Sequence, residues 1–176
     1  EYEKHGKSIA SVRAGNVIGG GDWSKDRLIP DCIRALEAGE AIGIRNPKSI
    51  RPWQHVLEPL SGYMLLAKKM WEKPTQYCEG WNFGPNNDSI ASVWDVALEV
   101  ISEYGIGELK DISDSNDFHE AQMLLLDISK ARFRLGWKPR MDFKQTVALT
   151  VDWYKRRQLI DEYLLCVEQI QNFVSH

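Results

Sequence analysis

Residues 13–23 have the sequence Arg13-Ala14-Gly15-Asn16-Val17-Ile18-Gly19-Gly20-Gly21-Asp22-Trp23. The preceding residues, 8–12, mix small and apolar side chains and predict a strand that runs into this glycine-rich loop. Ligands of open α/β sheets bind outside the carboxyl ends of strands, where the Asn16 amide could reach a phosphate or a sugar hydroxyl. On spacing alone, the favoured interpretation is simpler: Asn16 and the glycines only form a tight turn.

Apolar side chains at helical spacing predict helices in the rest of the chain. A helix over residues 28–37 is stopped by Gly39, and Pro59 fits the first turn of a strongly patterned helix over residues 56–71. Ser92 and Asp142 are candidate N-caps of two later helices, and residues 159–174 continue the second or form a separate helix. The apolar positions are Ile29, Ile33 and Leu36, then Leu57, Leu60, Met64, Ala67 and Trp71, then Val147, Val151 and Tyr154.

Short strands are predicted at residues 41–44 and 77–83, and loops at residues 45–53 and 111–122. A short helix capped by Asp127 is expected to end at Gly136. Strands that alternate with helices predict an α/β fold, yet about four short strands are few for a self-standing doubly wound sheet. The chain also begins with Glu1 in a charged stretch. We therefore expect it to be part of a longer protein.

Composition excludes several classes of function. The chain has 176 residues, 22 Lys and Arg against 25 Asp and Glu, and a net charge of −3, so no basic surplus points to nucleic acid or to an anionic membrane. No apolar run is long enough to span a bilayer. The three cysteines are scattered without metal-type spacing, which favours buried, reduced thiols in the cytoplasm.

Two further stretches offer candidate binding residues. Arg51 precedes a proline at the start of a predicted helix, where a guanidinium is suited to grip a diphosphate; the alternative is a surface ion pair worth little. Asn82 ends a predicted strand before Gly84, repeating the arrangement at Asn16. Two such asparagines favour a shared pocket.

Two histidines need a separate interpretation. His55 is predicted to be a packing residue rather than a catalytic base. His119 stands beside Glu120, a pairing that suggests acid–base chemistry, although a solvated loop is the favoured interpretation.

Several signatures of catalysis are missing from the sequence. It contains no Gly-x-Gly-x-x-Gly dinucleotide fingerprint, no Tyr-x-x-x-Lys pair, no metal-ligand spacing and no nucleophile elbow. The sequence thus predicts neither a catalytic residue nor a metal ligand within this chain.

Five stretches, taken in order, resemble a known family. They are residues 13–23, Arg27-Leu28-Ile29-Pro30-Asp31, Arg51-Pro52-Trp53-Gln54-His55-Val56, Trp81-Asn82-Phe83-Gly84-Pro85 and Leu135-Gly136-Trp137-Lys138-Pro139. Over roughly residues 1–157 the chain resembles the extended short-chain dehydrogenase/reductases that act on nucleotide sugars. The first and third stretches resemble the 4,6-dehydratases of this family that use CDP-glucose.

The resemblance implies an α/β fold, namely the C-terminal part of an extended Rossmann-type dehydratase. It implies an NAD-dependent lyase whose product is CDP-4-keto-6-deoxyglucose, with its catalytic residues in an N-terminal part that this sequence does not contain. The implied substrate-binding residues are Asn16, Arg27, Leu28, Arg51, Asn82 and His119. Ala14, Asn16 and Val17 would lie near the nicotinamide end of NAD.

The expected organisation is a substrate-binding portion over residues 1–157, including the last Rossmann strand region, and a helical tail over residues 158–176. We expect the whole protein to be a cytoplasmic enzyme of deoxysugar biosynthesis and a homo-oligomer, and this chain alone to be inactive. Two alternatives stay open. The chain is a nucleotide-sugar binding module without catalysis, or part of a related UDP-, dTDP- or GDP-sugar epimerase or dehydratase.

Overall fold

The computed structural model describes residues 6–114 and 123–175. The strands are β1 Ser11–Ala14, β2 Val17–Ile18, β3 Ile42–Ile44, β4 Ile50–Arg51, β5 Gln54–His55, β6 Gly80–Phe83, β7 Ala91–Ser92 and β8 Leu109–Asp111. The helices are α1 Leu28–Ala38, α2 Leu57–Glu72, α3 Val93–Tyr104, α4 Phe143–Arg156 and α5 Glu162–Ser175. Short turns of 3-10 helix at Asn87–Ser89 and of π-helix at Ala131–Leu135 complete these elements.

The strands pair two by two across the described residues. β1 pairs with β6, β2 with β5 and β3 with β8, all in parallel, whereas β4 and β7 are antiparallel. Ala14 lies opposite Phe83 at the carboxyl ends of β1 and β6. The loops that leave these two strands therefore start at the same edge, where α/β proteins place their ligands.

The first apolar core lies between α1, α3, α4 and β3. The three apolar residues that predict α1 are all buried there, and so are the three that predict the helix after Asp142. Gly39 ends α1 with a positive φ of 69°, as expected for a helix that stops at a glycine. These helix predictions are confirmed.

A second, smaller core forms around β6. Trp81 and Phe83 are fully buried between α2 and the π-helical turn. Trp137 meets the Phe83 ring edge-on, with ring centroids 5.0 Å apart. Lys130 and Arg134 lie over the Trp81 ring and pair with Glu79. The predicted strand at residues 77–83 is thus present, although it starts only at Gly80.

Both predicted capping boxes are present. The Ser92 hydroxyl accepts from the Asp95 N–H at 3.1 Å, and the Asp142 carboxylate accepts from the Gln145 N–H at 2.8 Å. In each case the third residue reaches back to the N-cap backbone. The Asp127 carboxylate likewise accepts from a backbone N–H, that of Ser129 at 2.8 Å, at the start of the short helix that ends at Gly136.

The tail forms a separate helix, α5, that docks on α4. Arg156 makes two hydrogen bonds of 2.8 Å with the Glu168 carboxylate. Leu165 is buried, and the Gln169 amide donates to the Leu149 carbonyl at 2.9 Å. In the part of the chain that the structure describes, no helix is both long and apolar enough to cross a membrane.

The loop predictions are partly wrong. β4 lies inside the loop predicted at residues 45–53, and β8 extends into the loop predicted at residues 111–122. The first strand starts at Ser11, three residues later than predicted. These strands are two to four residues long, too short to show a period-2 pattern in the sequence.

The apolar stripe that predicts α2 faces outward. Trp71 is 89% exposed and Met64 75% exposed, while Gly62 and Leu66 on the other side of the helix are buried. Gly62 is needed there, because a Cβ would lie 2.3 Å from the Phe83 ring. The helix is correctly predicted, but its buried face is the opposite one.

Glu58 connects α2 to the segment before α4. Its carboxylate is buried and accepts from the N–H groups of Arg140 and Met141 at 2.8 and 2.7 Å. Burial raises the pKa of this carboxyl above its usual 4.5, and the hydrogen bonds only partly offset it. Because the native state then holds the proton more tightly than the unfolded state, stability falls as pH rises through this range.

We expect Glu58→Gln to remove this pH dependence. The glutamine oxygen still accepts from both N–H groups but carries no charge to bury. In urea titrations at several pH values, the unfolding free energy of the native chain should fall as pH rises from 4.5 through the raised pKa of Glu58. The variant should show a flatter profile. Glu58→Ala leaves both donors unpaired and should lose about 1–3 kcal/mol at every pH; parallel profiles for native chain and Gln variant would refute this account.

Candidate functional site

The segment from Ala14, the last residue of β1, to Leu28, the first residue of α1, carries most of the predicted site residues. At Gly15 a Cβ would lie 2.6 Å from the Pro52 carbonyl oxygen, so a larger residue does not fit without a backbone shift. The Asn16 carbonyl accepts from the Gln54 N–H at 3.0 Å, and β2 then pairs with β5. The tight turn favoured by the sequence is therefore present. It fixes Asn16 at the carboxyl end of β1.

The triple-glycine part of this loop is held by α4. The Trp153 ring occupies the space of a Cβ on Gly20, with the nearest ring atom 2.1 Å from that position. The Tyr154 hydroxyl donates to the Asp22 carbonyl at 2.7 Å, and burial raises the pKa of Tyr154 to about 12. Trp23 meets the Tyr154 ring edge-on at 5.3 Å. The loop is thus clamped by two neighbouring aromatic residues.

Arg27 is oriented by an ion pair within the same loop. Its guanidinium donates to the Asp22 carboxylate at 3.0 Å, and the other carboxylate oxygen accepts from the Ser24 N–H at 3.0 Å. Burial raises the pKa of Asp22, but the hydrogen bonds from Ser24 and Arg27 outweigh it and leave the pKa below 3.8. Asp22 is therefore a charged anchor for Arg27 at neutral pH.

Two neighbouring cavities open beside the loop, and Asp26 and Leu28 line both. The first, here called the Asn16 cavity, has a volume of about 400 Å³. The second, the Arg45 cavity, has a volume of about 540 Å³. The Asn16 cavity is lined by Asn16, Val17, Ile18, Gly19, Asp22, Asp26, Arg27, Leu28, Ile29, Pro30 and Trp53. The Arg45 cavity is lined by Asp26, Leu28, Asp31, Cys32, Ile42, Gly43, Ile44, Arg45, Asn46 and Val93.

Four predicted site residues meet in the Asn16 cavity: Asn16, Val17, Arg27 and Leu28. Ala14 ends β1 two residues before Asn16. Residues predicted for the substrate and for the cofactor therefore lie next to each other. Their ligand contacts stay predictions.

Arg51 and Asn82 are not part of the Asn16 cavity. Arg51 lies on β4 and donates to the Ile50 carbonyl at 2.9 Å. The Asn82 amide donates to the Asp127 carbonyl at 3.1 Å, while its side-chain oxygen is buried without a partner among the described residues. Asn82 does not line the Asn16 cavity, and the shared pocket suggested by the two asparagines stays a prediction.

His119 and Glu120 lie outside the described residues. Met123, four positions after His119, forms a bridge with Ile50, the neighbour of Arg51. The ligand contacts predicted for Arg51 and His119 stay predictions.

The sequence motifs did not single out Gln54, whose side chain joins two strands. Its amide donates to the Phe83 carbonyl at 2.8 Å and so ties β5 to the end of β6. The next residue, His55, is also buried, and burial lowers its pKa to about 4. A neutral, buried imidazole agrees with the packing role predicted for His55.

Asp26 and Arg45 were also missed. Asp26 has a positive φ of 61° and pairs with Arg45 at 3.0 Å, and both residues line the Arg45 cavity. The sequence signal was weak, because the two residues are 19 positions apart in two loops. No group of three His, Cys, Asp or Glu side chains within residues 6–114 and 123–175 could hold a metal ion.

No protein-family model matches the chain. The chain is 45% identical over 175 residues to CDP-glucose 4,6-dehydratase of Salmonella typhimurium, covering 99% of this chain and 49% of that protein. It is 24% identical over 156 residues to dTDP-glucose 4,6-dehydratase of Streptomyces antibioticus, covering 88% and 44%. The chain thus spans about half the length of the curated relatives it matches.

Solved structures show the same fold. A dTDP-glucose 4,6-dehydratase from Bacillus anthracis in complex with NAD matches with a TM-score of 0.71 at 21% identity, covering 89% of this chain and 48% of that one. A UDP-glucose 4-epimerase from Thermotoga maritima with UDP-glucose matches with a TM-score of 0.73 at 18% identity, covering 89% and 49%. The predicted Rossmann-type α/β class is confirmed.

We expect Tyr154→Phe to loosen the loop that carries Arg27. The variant loses the hydrogen bond to the Asp22 carbonyl, worth about 1 kcal/mol, but keeps the aromatic packing. Urea unfolding should measure this loss, and amide hydrogen exchange should rise in residues 19–24. Tyr163→Phe is the control, because that side chain is 73% exposed and should change stability by less than about 0.5 kcal/mol. Equal effects of both variants would contradict the clamp.

Proposed function

We propose that the chain is the C-terminal part of a nucleotide-sugar 4,6-dehydratase and supplies the substrate-binding portion of this NAD-dependent enzyme. The proposed substrate is CDP-glucose and the product CDP-4-keto-6-deoxyglucose. The observation that carries the proposal is the 45% identity to the Salmonella CDP-glucose enzyme across 99% of this chain. The dTDP-glucose dehydratases reach only 24–27%, which favours the cytidine nucleotide.

The proposed reaction oxidises the sugar at C4, eliminates water across C5 and C6, and returns the hydride to C6. NAD, when bound, takes up this hydride and gives it back. The residues of this chain bind and orient the substrate. The catalytic groups are proposed to belong to the other half of the relatives' length, since the sequence holds no tyrosine–lysine pair.

The fit to NAD is partial. Val17 is apolar, 38% exposed, and lines the Asn16 cavity beside Asn16, which suits a wall against the nicotinamide end of the cofactor. Ala14 lies two residues upstream at the end of β1. The glycine fingerprint that grips the pyrophosphate is absent from this sequence, so most of the NAD contacts would come from outside it.

The substrate would extend from the Asn16 cavity towards β4 and β6. Asn16, Arg27 and Leu28 would contact the sugar and the nucleotide, and Arg51 and Asn82 the diphosphate. One N–H of the Asn82 amide is used by the Asp127 carbonyl, and the second N–H could donate to a diphosphate oxygen. His119 would close over the nucleotide from the segment that precedes Met123.

The surface of the chain supports its role as part of a larger unit. β1 pairs with β6 alone among the described residues, and its Val12 side chain is 40% exposed. The outward stripe of α2 adds further apolar surface, centred on Met64 and Trp71. Exposed strand edges and contiguous apolar patches mark interaction sites. We propose that the other half of the enzyme covers both.

A related enzyme with another nucleotide is the second candidate. It is favoured by the UDP-glucose 4-epimerase of Thermotoga maritima, which shares the fold with a TM-score of 0.73. Comparing CDP-, UDP-, dTDP- and GDP-glucose as substrates of the complete polypeptide that carries this chain separates the candidates. Preferential conversion of CDP-glucose supports the first proposal, and failure to convert it refutes that proposal. A binding module without catalysis would bind CDP-glucose and convert none of the four.

The proposed organisation has a substrate-binding portion over residues 1–157 and a helical tail over residues 158–176. We further propose that the complete enzyme is a cytoplasmic homo-oligomer. The small negative charge of −3 argues against nucleic acid as a partner.

We expect Arg51→Ala to weaken binding of CDP-glucose to the complete polypeptide. Hydrogen bonds to a charged group contribute about 1.5–3 kcal/mol, which calorimetry resolves. Arg132→Ala is the control, since Arg132 pairs with Asn86 and is not a predicted contact. An unchanged affinity of the Arg51 variant would place Arg51 outside the site.

We expect the isolated chain to have low stability, because the sheet that β1 extends and the cover of α2 are missing. Thermal unfolding should be broad and begin at low temperature. Adding the other half of the enzyme as a separate polypeptide should raise the melting temperature. A cooperative melt at high temperature for the chain alone would contradict this expectation.

A further inference from the structure

We propose that the outward face of α5 is a self-association surface, against which a second copy of this chain packs its own α5 in the antiparallel direction. The face is formed by Tyr163, Val167, Ile170 and Val174, here called the α5 seam. The inference rests on the proposed homo-oligomeric state and not on the identity of the substrate. It names the surface through which two copies meet.

The helix α5 is apolar on two opposite sides. Leu165 is buried on the side that docks on α4. Val167 lies about 200° further round the helix, because an α-helix has 3.6 residues per turn. On that second side Tyr163 is 73% exposed, Ile170 47% and Val174 70%. Docking on α4 therefore leaves one apolar stripe of the helix uncovered.

The spacing of this stripe is that of a helix-pairing seam. Its members follow one another at intervals of four, three and four residues, which is the heptad spacing of helices that pack side by side. The stripe is also symmetric about the point between residues 168 and 169. In an antiparallel pair, Tyr163 thus meets the partner's Val174, and Val167 meets the partner's Ile170. Such self-complementarity is what an interface between two identical copies requires.

The surroundings of the seam carry no charge that could recognise a charged partner. The exposed side chains beside it are those of Leu164, Cys166 and Gln171. A helix face that stays in water normally carries charged residues, and an exposed apolar patch marks an interaction site. A second α5 seam is an apolar surface of matching spacing, so the occupant that fits is another copy of this chain.

The charges at the two ends of α5 favour the antiparallel direction. Asp161 and Glu162 lie at its N-terminal end, and a parallel pair would place these carboxylates beside their own copies, where like charges repel. Arg140 lies at the other end, where its guanidinium donates to the Phe173 carbonyl at 2.8 Å and lies over the Phe173 ring. An antiparallel pair brings the partner's Glu162 to the end that carries Arg140. The two copies are then complementary in charge as well as in spacing.

Sedimentation velocity of the complete polypeptide tests the surface. We expect the native protein to form an oligomer with an even number of copies. Ile170→Lys should halve its mass, because two lysines would then meet near the centre of the seam. Ile106→Lys is the matched control, since it makes the same change at a residue that is 66% exposed and lies outside α5. The control should keep the native mass.

A disulfide cross-link tests the direction, and it decides the question if Ile170→Lys does not fold. Tyr163→Cys and Val174→Cys are combined in a Cys166→Ser background and oxidised mildly. The combined variant should run as a covalent dimer on a non-reducing gel, because the two positions face each other across the pair. Each substitution alone should stay unlinked. Two copies of one position would lie about 16 Å apart along antiparallel helices, beyond the reach of a disulfide.

Three results would overturn the inference. If Ile170→Lys folds and keeps the native mass, or if the combined cysteine variant stays unlinked, something other than a second α5 covers the seam, such as the other half of the enzyme. If a single-cysteine variant links as well as the combined one, the helices do not pair in the proposed direction. A monomeric native polypeptide refutes the homo-oligomer and the inference together. Conversion of CDP-glucose by the same samples tests the proposed dehydratase function separately.

Discussion

The contact between Trp153 and Gly20 is the constraint on which the candidate site depends. The indole ring fills the space that any side chain at position 20 would need, so the path of the glycine loop is set by α4. Tyr154 then holds the next turn through the Asp22 carbonyl, and Asp22 in turn orients Arg27. A binding loop rich in glycine would be mobile by itself. Here its geometry is set by α4, which starts at Phe143, 123 residues after Gly20.

The sequence predicted the features that neighbouring residues determine and missed those that only the tertiary fold brings together. Helices with strong local signals were found: α1 from its apolar face and Gly39, α3 and α4 from their capping boxes. Asn16, Arg27 and Leu28 line one cavity. They lie on one continuous segment that ends at the first residue of α1, so a sequence motif can identify them together. The sequence did not predict the Asp26–Arg45 pair or the hydrogen bond of Gln54, because each joins elements brought together only by the fold. Short strands such as β4 were not predicted either, because two residues are too few to show an alternating pattern.

Glu58 and Gln54 show how the two cores act as one unit. Gln54 on β5, just before α2, bonds to the end of β6. Glu58 in the first turn of α2 bonds to the segment that leads into α4. Both side chains are buried polar groups whose bonds run to backbone atoms, which makes their geometry specific. Residues 54–58 thus bond both to the end of β6 and to the segment that leads into α4. The resemblance implied ligand binding by Arg51, three residues before Gln54, whereas Gln54 and Glu58 themselves bond to the backbone of other segments.

The sequence correctly predicts the helix α2, but the apolar stripe that predicts it lies on the exposed face of the helix. Leu60, Met64 and Trp71 repeat at helical spacing, which normally marks the buried side of a helix. In this chain the buried side is instead defined by Gly62, Leu66 and the aromatic ring of Phe83. Each apolar side chain left in water forgoes about 1.5–3 kcal/mol of burial. A helix that is apolar on both sides belongs between two layers, and the described residues supply one of them. The relatives, twice as long, have the length to supply the other.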